Sequence, residues 1–166
     1  MLLKELTVNI TIIGAGHLKE KYLQEACGEY SKRLGRYCRL QIIEVQDEPT
    51  PDKAGAKTEK RILDTEGEKI LRQIPDGSFC IATAIKGKRY SSEGFAGLLQ
   101  TIQVEGHSHI TFVIGGSLGL SEKVLQRADL CLSFSEMTFP HQLMRVILLE
   151  QIYRGFRIIH HEPYHK

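Results

Sequence analysis

Five short apolar runs, at residues 8–13, 40–45, 79–85, 109–114 and 130–134, alternate with longer segments of helical character. Few folds satisfy such a pattern. Strands joined through intervening helices run parallel, and a parallel sheet needs cover on both faces. The expected fold is therefore α/β, a mostly parallel sheet with helices on both faces. At 166 residues the chain has the size of one domain with a sizeable core, so residues 1–166 are read as a single domain. Residues 1–7 have no evident structural role and are expected to be a disordered lead-in. The sequence contains no internal repeat and no low-complexity segment.

Between the first two runs, Leu18, Tyr22, Ala26, Tyr30 and Leu34 recur every fourth residue and Gly35 ends the stripe, which predicts a helix. Residues 46–56, polar and carrying Pro49 and Pro51, read as a loop. Residues 57–74 predict a surface helix with Ile62, Leu63, Ile70, Leu71 and Ile74 on one side. Residues 86–90 (Lys-Gly-Lys-Arg-Tyr) read as a basic turn, after which Ser91 or Ser92 caps a helix bearing Phe95, Leu98, Leu99 and Ile102. Ser121 is a good N-cap for a helix over 122–128. The last helix, 141–157, is apolar nearly all round, with Leu143, Met144, Val146, Ile147, Leu148, Leu149, Ile152, Tyr153 and Phe156. The sheet covers one side, and a second copy of the chain is the natural cover for the other, so a symmetric homodimer is expected.

Composition narrows the function. With 42% hydrophobic and 25% charged residues the chain is neither disordered nor collagen-like. A net charge of +2 does not announce a binder of polyanions, so any basic surface is local. Three basic groups suit phosphate contacts if they converge: Lys32, Arg33, Arg36 and Arg39; Lys86, Lys88 and Arg89; and Arg145, Arg154, Arg157 and Lys166. No apolar run reaches the roughly 18 residues of a membrane span, and the N-terminus is too short and charged for a signal peptide. Cys27, Cys38, Cys80 and Cys131 are widely spaced, with no CxxC pair. They read as small buried hydrophobes of a cytoplasmic protein.

Several familiar sites are missing. Gly14-Ala15-Gly16 lacks the third glycine of a dinucleotide fingerprint, whose position is Lys19. Gly115-Gly116-Ser117-Leu118-Gly119 lacks the lysine of a P-loop, and no G-x-S-x-G elbow occurs. His141, His160, His161 and His165 lack a recognisable metal-ligand spacing, so no metal is expected. Two loops stand out instead. One is the glycine loop at 115–119, where the backbone is open to close approach. The other is 134–139, whose Phe139 is biased to an extended conformation by Pro140. Main-chain groups of such loops can bind an adenine edge or a carboxylate.

The stretches Phe112-Val113-Ile114-Gly115-Gly116-Ser117-Leu118-Gly119, Met137-Thr138-Phe139-Pro140-His141-Gln142-Leu143-Met144-Arg145-Val146, Glu150-Gln151-Ile152-Tyr153-Arg154 and Pro163-Tyr164-His165-Lys166 resemble the ribosomal RNA large subunit methyltransferase H family. So does Lys60-Arg61-Ile62-Leu63-Asp64-Thr65-Glu66-Gly67-Glu68. The likeness runs from about Val8 to the end of the chain. It implies a SPOUT methyltransferase: an α/β domain with a C-terminal trefoil knot, acting as a homodimer, with S-adenosylmethionine as cofactor. The implied reaction is methylation of N3 of a pseudouridine in 23S ribosomal RNA within the assembled 70S ribosome. Carried over by position, donor contacts are expected at Thr83, Gly115, Phe134, Ser135, Glu136, Met137, Thr138 and Phe139. Thr83 stands where relatives often have leucine, and Lys166 where some have arginine; a lysine meets phosphate as a point charge. Arg154, Tyr164 and His165 are the candidate catalytic residues. His165 is the candidate base or orienter, since imidazole accepts a proton near neutral pH. Two other readings remain: a SPOUT enzyme acting on another RNA, such as transfer RNA, and a ribosome-binding factor without catalysis.

Overall fold

A computed structural model describes residues 7–166. The lead-in expected over 1–7 falls, except for Thr7, outside the described residues. Five strands, β1 (Val8–Ala15), β2 (Cys38–Val45), β3 (Phe79–Arg89), β4 (His109–Ile114) and β5 (Leu130–Ser133), form one sheet in the order β2-β1-β4-β3-β5. Every pairing is parallel. The helices are α1 (Lys21–Leu34), α2 (Ala56–Gln73), α3 (Ser92–Val104), α4 (Glu122–Arg127) and α5 (His141–Ile159).

Side chains alternate across the sheet, as period-2 geometry requires. Ile10 and Ile12 of β1 and Ile110, Phe112 and Ile114 of β4 pack into a core shared with α1, α3 and α5. Ile13 and Ala15 of β1 and Val113 of β4 point the other way, against Ile70 of α2 and Val124 of α4. The two faces are thus covered by three helices and two. Helix α5 crosses α3 at Gly155, where an added Cβ would stand 3.0 Å from Leu99. Ser91 caps α3 by accepting from Gly94 N at 3.0 Å, and Ser121 caps α4 by accepting from Val124 N at 3.3 Å.

Three sequence expectations are corrected. The buried residues of α1 are Leu23, Cys27 and Leu34, while Tyr22 is exposed. A spacing of four drifts about 40° per step on a helix of 3.6 residues per turn, so a row of five spirals off the core face. The basic residues at 86–90 are not a turn alone: Lys88 and Arg89 resume strand pairing with Leu132 and Ser133 after β3 leaves β5 beyond Thr83. Gly87 permits this, because a Cβ there would stand 2.6 Å from the Cys131 carbonyl oxygen. Arg145, grouped by sequence with phosphate-facing cations, is buried.

Its guanidinium bonds the Glu44 carboxylate at 2.5 Å, the Ala15 carbonyl at 3.2 Å and the Gly16 carbonyl. Gly14 makes room for it, since a Cβ there would lie 2.7 Å from Arg145 Nε. The pair therefore locks α5 to the ends of β1 and β2.

All four cysteines are free, and Cys27, Cys38 and Cys80 are buried. Burial pushes the Cys38 thiol to about 12 and Cys80 to about 11. No helix among the described residues is long and apolar enough to cross a membrane.

Candidate functional site

In an open α/β sheet the ligand crevice lies at the carboxyl ends of the strands. Here β4 and β5 end on one edge beside the stretch where β3 leaves β5 beyond Thr83, and these segments enclose a cavity of about 480 Å³. Residues 83–86 form one wall, Ile114, Gly115, Ser117, Leu118 and Gly119 a second, and Phe134, Ser135, Met137, Thr138 and Phe139 a third. His141 and Met144, from the start of α5, close it. That volume suits a nucleoside-sized ligand.

Local chemistry shapes each wall. A side chain on Gly115 has no room, because its Cβ would stand 3.0 Å from Gly119 Cα and closer still to the Gly119 carbonyl. Gly119 has φ +87°, a conformation that glycine adopts without strain, and its N–H closes the turn on Gly116 O at 3.1 Å. In the third wall, Ser135 Oγ accepts from Met137 N at 3.0 Å, a local serine turn, and Ser133 Oγ donates to Ser135 O at 3.2 Å. Thr83 Oγ1 donates to Val113 O at 3.0 Å, so its hydroxyl is committed inside the sheet.

The structure therefore gathers Thr83, Gly115, Phe134, Ser135, Met137, Thr138 and Phe139 around one cavity. Glu136 is the exception: its exposed side chain turns outward to pair with Arg89 at 3.1 Å. Sequence reasoning missed Lys86 and His141 as lining residues. The signal for His141 was its place directly after Pro140, at the junction of loop and helix. Burial, with the Arg145 charge, holds the His141 imidazole below its ordinary range, so it is neutral at pH 7.

Arg154, Tyr164 and His165 also come together, but none of them lines the cavity. Arg154 pairs with Glu150 at 2.6 Å and lies over the Tyr164 ring at 4.8 Å. Tyr164 donates to Glu150 at 3.2 Å. Burial and the neighbouring Glu150 charge push its phenol to about 12, so it stays protonated. His165 Nδ1 lies 3.2 Å from Arg154 Nη1, and Nε2 lies 2.7 Å from Glu93. Arginine can only donate, so Nδ1 accepts and Nε2–H donates to Glu93. Both ring nitrogens are thus committed, which suits His165 to orienting Arg154.

Comparison with known proteins identifies the family of the chain. A family model described as "Predicted SPOUT methyltransferase" matches residues 8–165. The chain is 60% identical over 159 residues to a protein of Clostridium botulinum (strain Langeland) named Ribosomal RNA large subunit methyltransferase H, covering 96% of this chain and all of that one. A protein of the same name from Clostridium acetobutylicum is 59% identical over the same share of both. Among solved structures, a probable methylase family protein from Haemophilus influenzae Rd KW20 shares the fold, with a TM-score of 0.51 at 14% identity over 97% of this chain and 71% of that one. A match of this identity over nearly the full length leaves no ambiguity of lineage, and the chain belongs to the ribosomal RNA large subunit methyltransferase H family of SPOUT methyltransferases.

Proposed function

We propose that the protein transfers a methyl group from S-adenosylmethionine to N3 of a pseudouridine in 23S ribosomal RNA of the assembled 70S ribosome. The observation that carries this reading is the single cavity formed by seven of the eight residues expected to contact the donor. The names of the curated relatives support ribosomal RNA as the substrate.

The cavity fits the donor on its own terms. Gly115 offers bare backbone, the loop before Pro140 offers main-chain groups, and the apolar Phe134, Phe139 and Met144 suit an adenosine ring system. When bound, S-adenosylmethionine supplies an electrophilic methyl group on a sulfonium. The chain's task is alignment: the walls fix the donor, and the tail fixes the base and its phosphates. As the N3–methyl bond forms, the methyl–sulfur bond breaks with its electron pair left on sulfur, S-adenosylhomocysteine is the leaving group, and the N3 proton leaves to a base or to water. Glu150 orients Arg154 and Tyr164, and Glu93 orients His165.

Because Arg154, Tyr164 and His165 lie outside the wall of the cavity, a homodimer accounts for their use: the tail of one copy reaches the cavity of the other. Leu143, exposed at 36%, and the half-buried Val146 and Ile147 leave an apolar strip of α5 for that contact. A C-terminal trefoil knot, which the family resemblance implies, is compatible with the strand order β2-β1-β4-β3-β5.

The test is methyl transfer to intact 70S particles, measured against naked 23S ribosomal RNA and transfer RNA. Label on N3 of one pseudouridine of the particle is the expected result. Transfer to transfer RNA alone, or donor binding without transfer to any RNA, contradicts it. On the same particles His165→Ala is expected to lower turnover on the order of a hundredfold; unchanged turnover removes His165 from the chemistry.

A further inference from the structure

The buried residues of α2 are Ile62, Glu66, Gly67 and Ile70: a glutamate occupies a core position between isoleucines. The residue is only 4% exposed, and burial, opposed by the hydrogen bond from Glu48 N and the Lys69 charge but reinforced by the Asp47 and Glu48 charges, pushes its carboxyl above the usual range. Burying such a group costs stability that a leucine would not. What the glutamate gains is contact with two loops. Its Oε1 accepts from Glu48 N at 3.0 Å. Its Oε2 packs on Gly116 so closely that a Cβ there would stand 3.2 Å away. The next residue, Gly67, packs on Ser121, the N-cap of α4 just past that turn, since its Cβ would lie 2.9 Å from Ser121 Cβ. Lys69 ties down the first loop by bonding Gln46 O at 3.2 Å and Glu48 Oε1 at 2.9 Å. Glu66 thus backs the glycine turn, Gly67 backs the start of α4 that follows it, and Lys69 anchors the segment bonded to Glu66.

We infer that Glu66 is a positioning residue for donor binding, holding the Gly115–Gly119 turn at the height the ligand requires. Glu66 does not line the cavity itself; it stands behind Gly116, whose neighbours Gly115 and Ser117 do. This inference rests on the reading of that cavity as the donor site. It gives a role to the Lys60–Glu68 stretch, which the proposed chemistry does not otherwise use.

The test is calorimetric titration with S-adenosylhomocysteine, paired with donor kinetics on 70S particles. Glu66→Ala is expected to weaken binding and raise the donor KM about tenfold, with kcat at saturating donor little changed. Glu66→Gln, whose amide oxygen still accepts from Glu48 N, recovers most of the affinity. Gly116→Ala presses on the same carboxylate from the cavity side without removing it, and is expected to weaken binding as well. If the wild-type protein binds and both Glu66→Ala and Gly116→Ala match it, the positioning role is overturned. If the wild-type protein does not bind S-adenosylhomocysteine, the donor-site reading itself fails.

Discussion

Arg145→Met is expected to lower the thermal unfolding midpoint by on the order of 10 °C. Arg145 is 2% exposed, and its partners are Glu44 and the carbonyls of Ala15 and Gly16. Methionine fills the volume but strands the two buried carbonyl acceptors, while the exposed Glu44 carboxylate falls back on water and Leu18 N. Each buried acceptor left unpaired costs about 1–3 kcal/mol, and each kcal/mol moves the midpoint about 2–4 °C in a domain of this size. Arg145→Lys restores the charge without the planar fork and recovers only part of the loss. The pair also has a pH signature. Burial alone would raise the Glu44 carboxyl, but hydrogen bonds from Arg145 and Leu18 N and the Arg145 charge outweigh it and hold it below 4.5. A lowered folded-state value means that the contribution is whole above pH 4.5 and is lost as pH falls through the folded value. Calorimetric scans from pH 7 to pH 3 should show an acid decline in the wild-type protein that is shallower in Glu44→Gln. A midpoint unmoved in Arg145→Met would contradict the account of how α5 is locked to the sheet.

Gly115→Val is expected to leave the fold standing and reduce donor affinity on the order of a hundredfold. The added Cβ meets the Gly119 backbone, so neither partner can yield by rotating a side chain. The turn must open, and a displacement of about 1 Å in a positioning element costs roughly two orders of magnitude. Because the turn lies at the edge of the sheet, strand pairing persists and near-native circular dichroism is expected. Titration with S-adenosylhomocysteine measures the loss. Wild-type affinity in Gly115→Val would show that the ligand does not need this turn where it stands.

Much of the architecture was legible in the sequence because its signals are local. Alternating apolar runs marked all five strands, and Ser121 marked the start of α4. The stripe of α1 was misplaced because recurrence every fourth residue does not follow one helix face over five repeats. The irregular end of β3 was hidden because its pairing with β5 depends on Gly87 meeting a strand more than forty residues away. Arg145 was misread because a charge in an apolar helix is ambiguous alone. Its partner had a matching oddity, Glu44 in an apolar strand, and the register that sets Glu44 beside Gly14 joins the two.

The candidate site divides in the same way. The glycine loop and the segment before Pro140 announced themselves by backbone chemistry. Their convergence did not, since it requires β4, β3 and β5 to be neighbours although their chain order differs. The tail residues came from family resemblance; the Arg154–Glu150 pair is an i,i+4 contact within α5, whereas the His165–Glu93 contact emerges only when α3 and α5 lie side by side.

The most direct measurement is a crystal structure of the protein soaked with S-adenosylhomocysteine. The account predicts the ligand in the three-walled cavity, its adenine between the Gly115 turn and the loop from Phe134 to Phe139, its sulfur toward the tail of a second copy. A ligand bound elsewhere on the molecule, or a cavity left empty at saturating ligand, would contradict it.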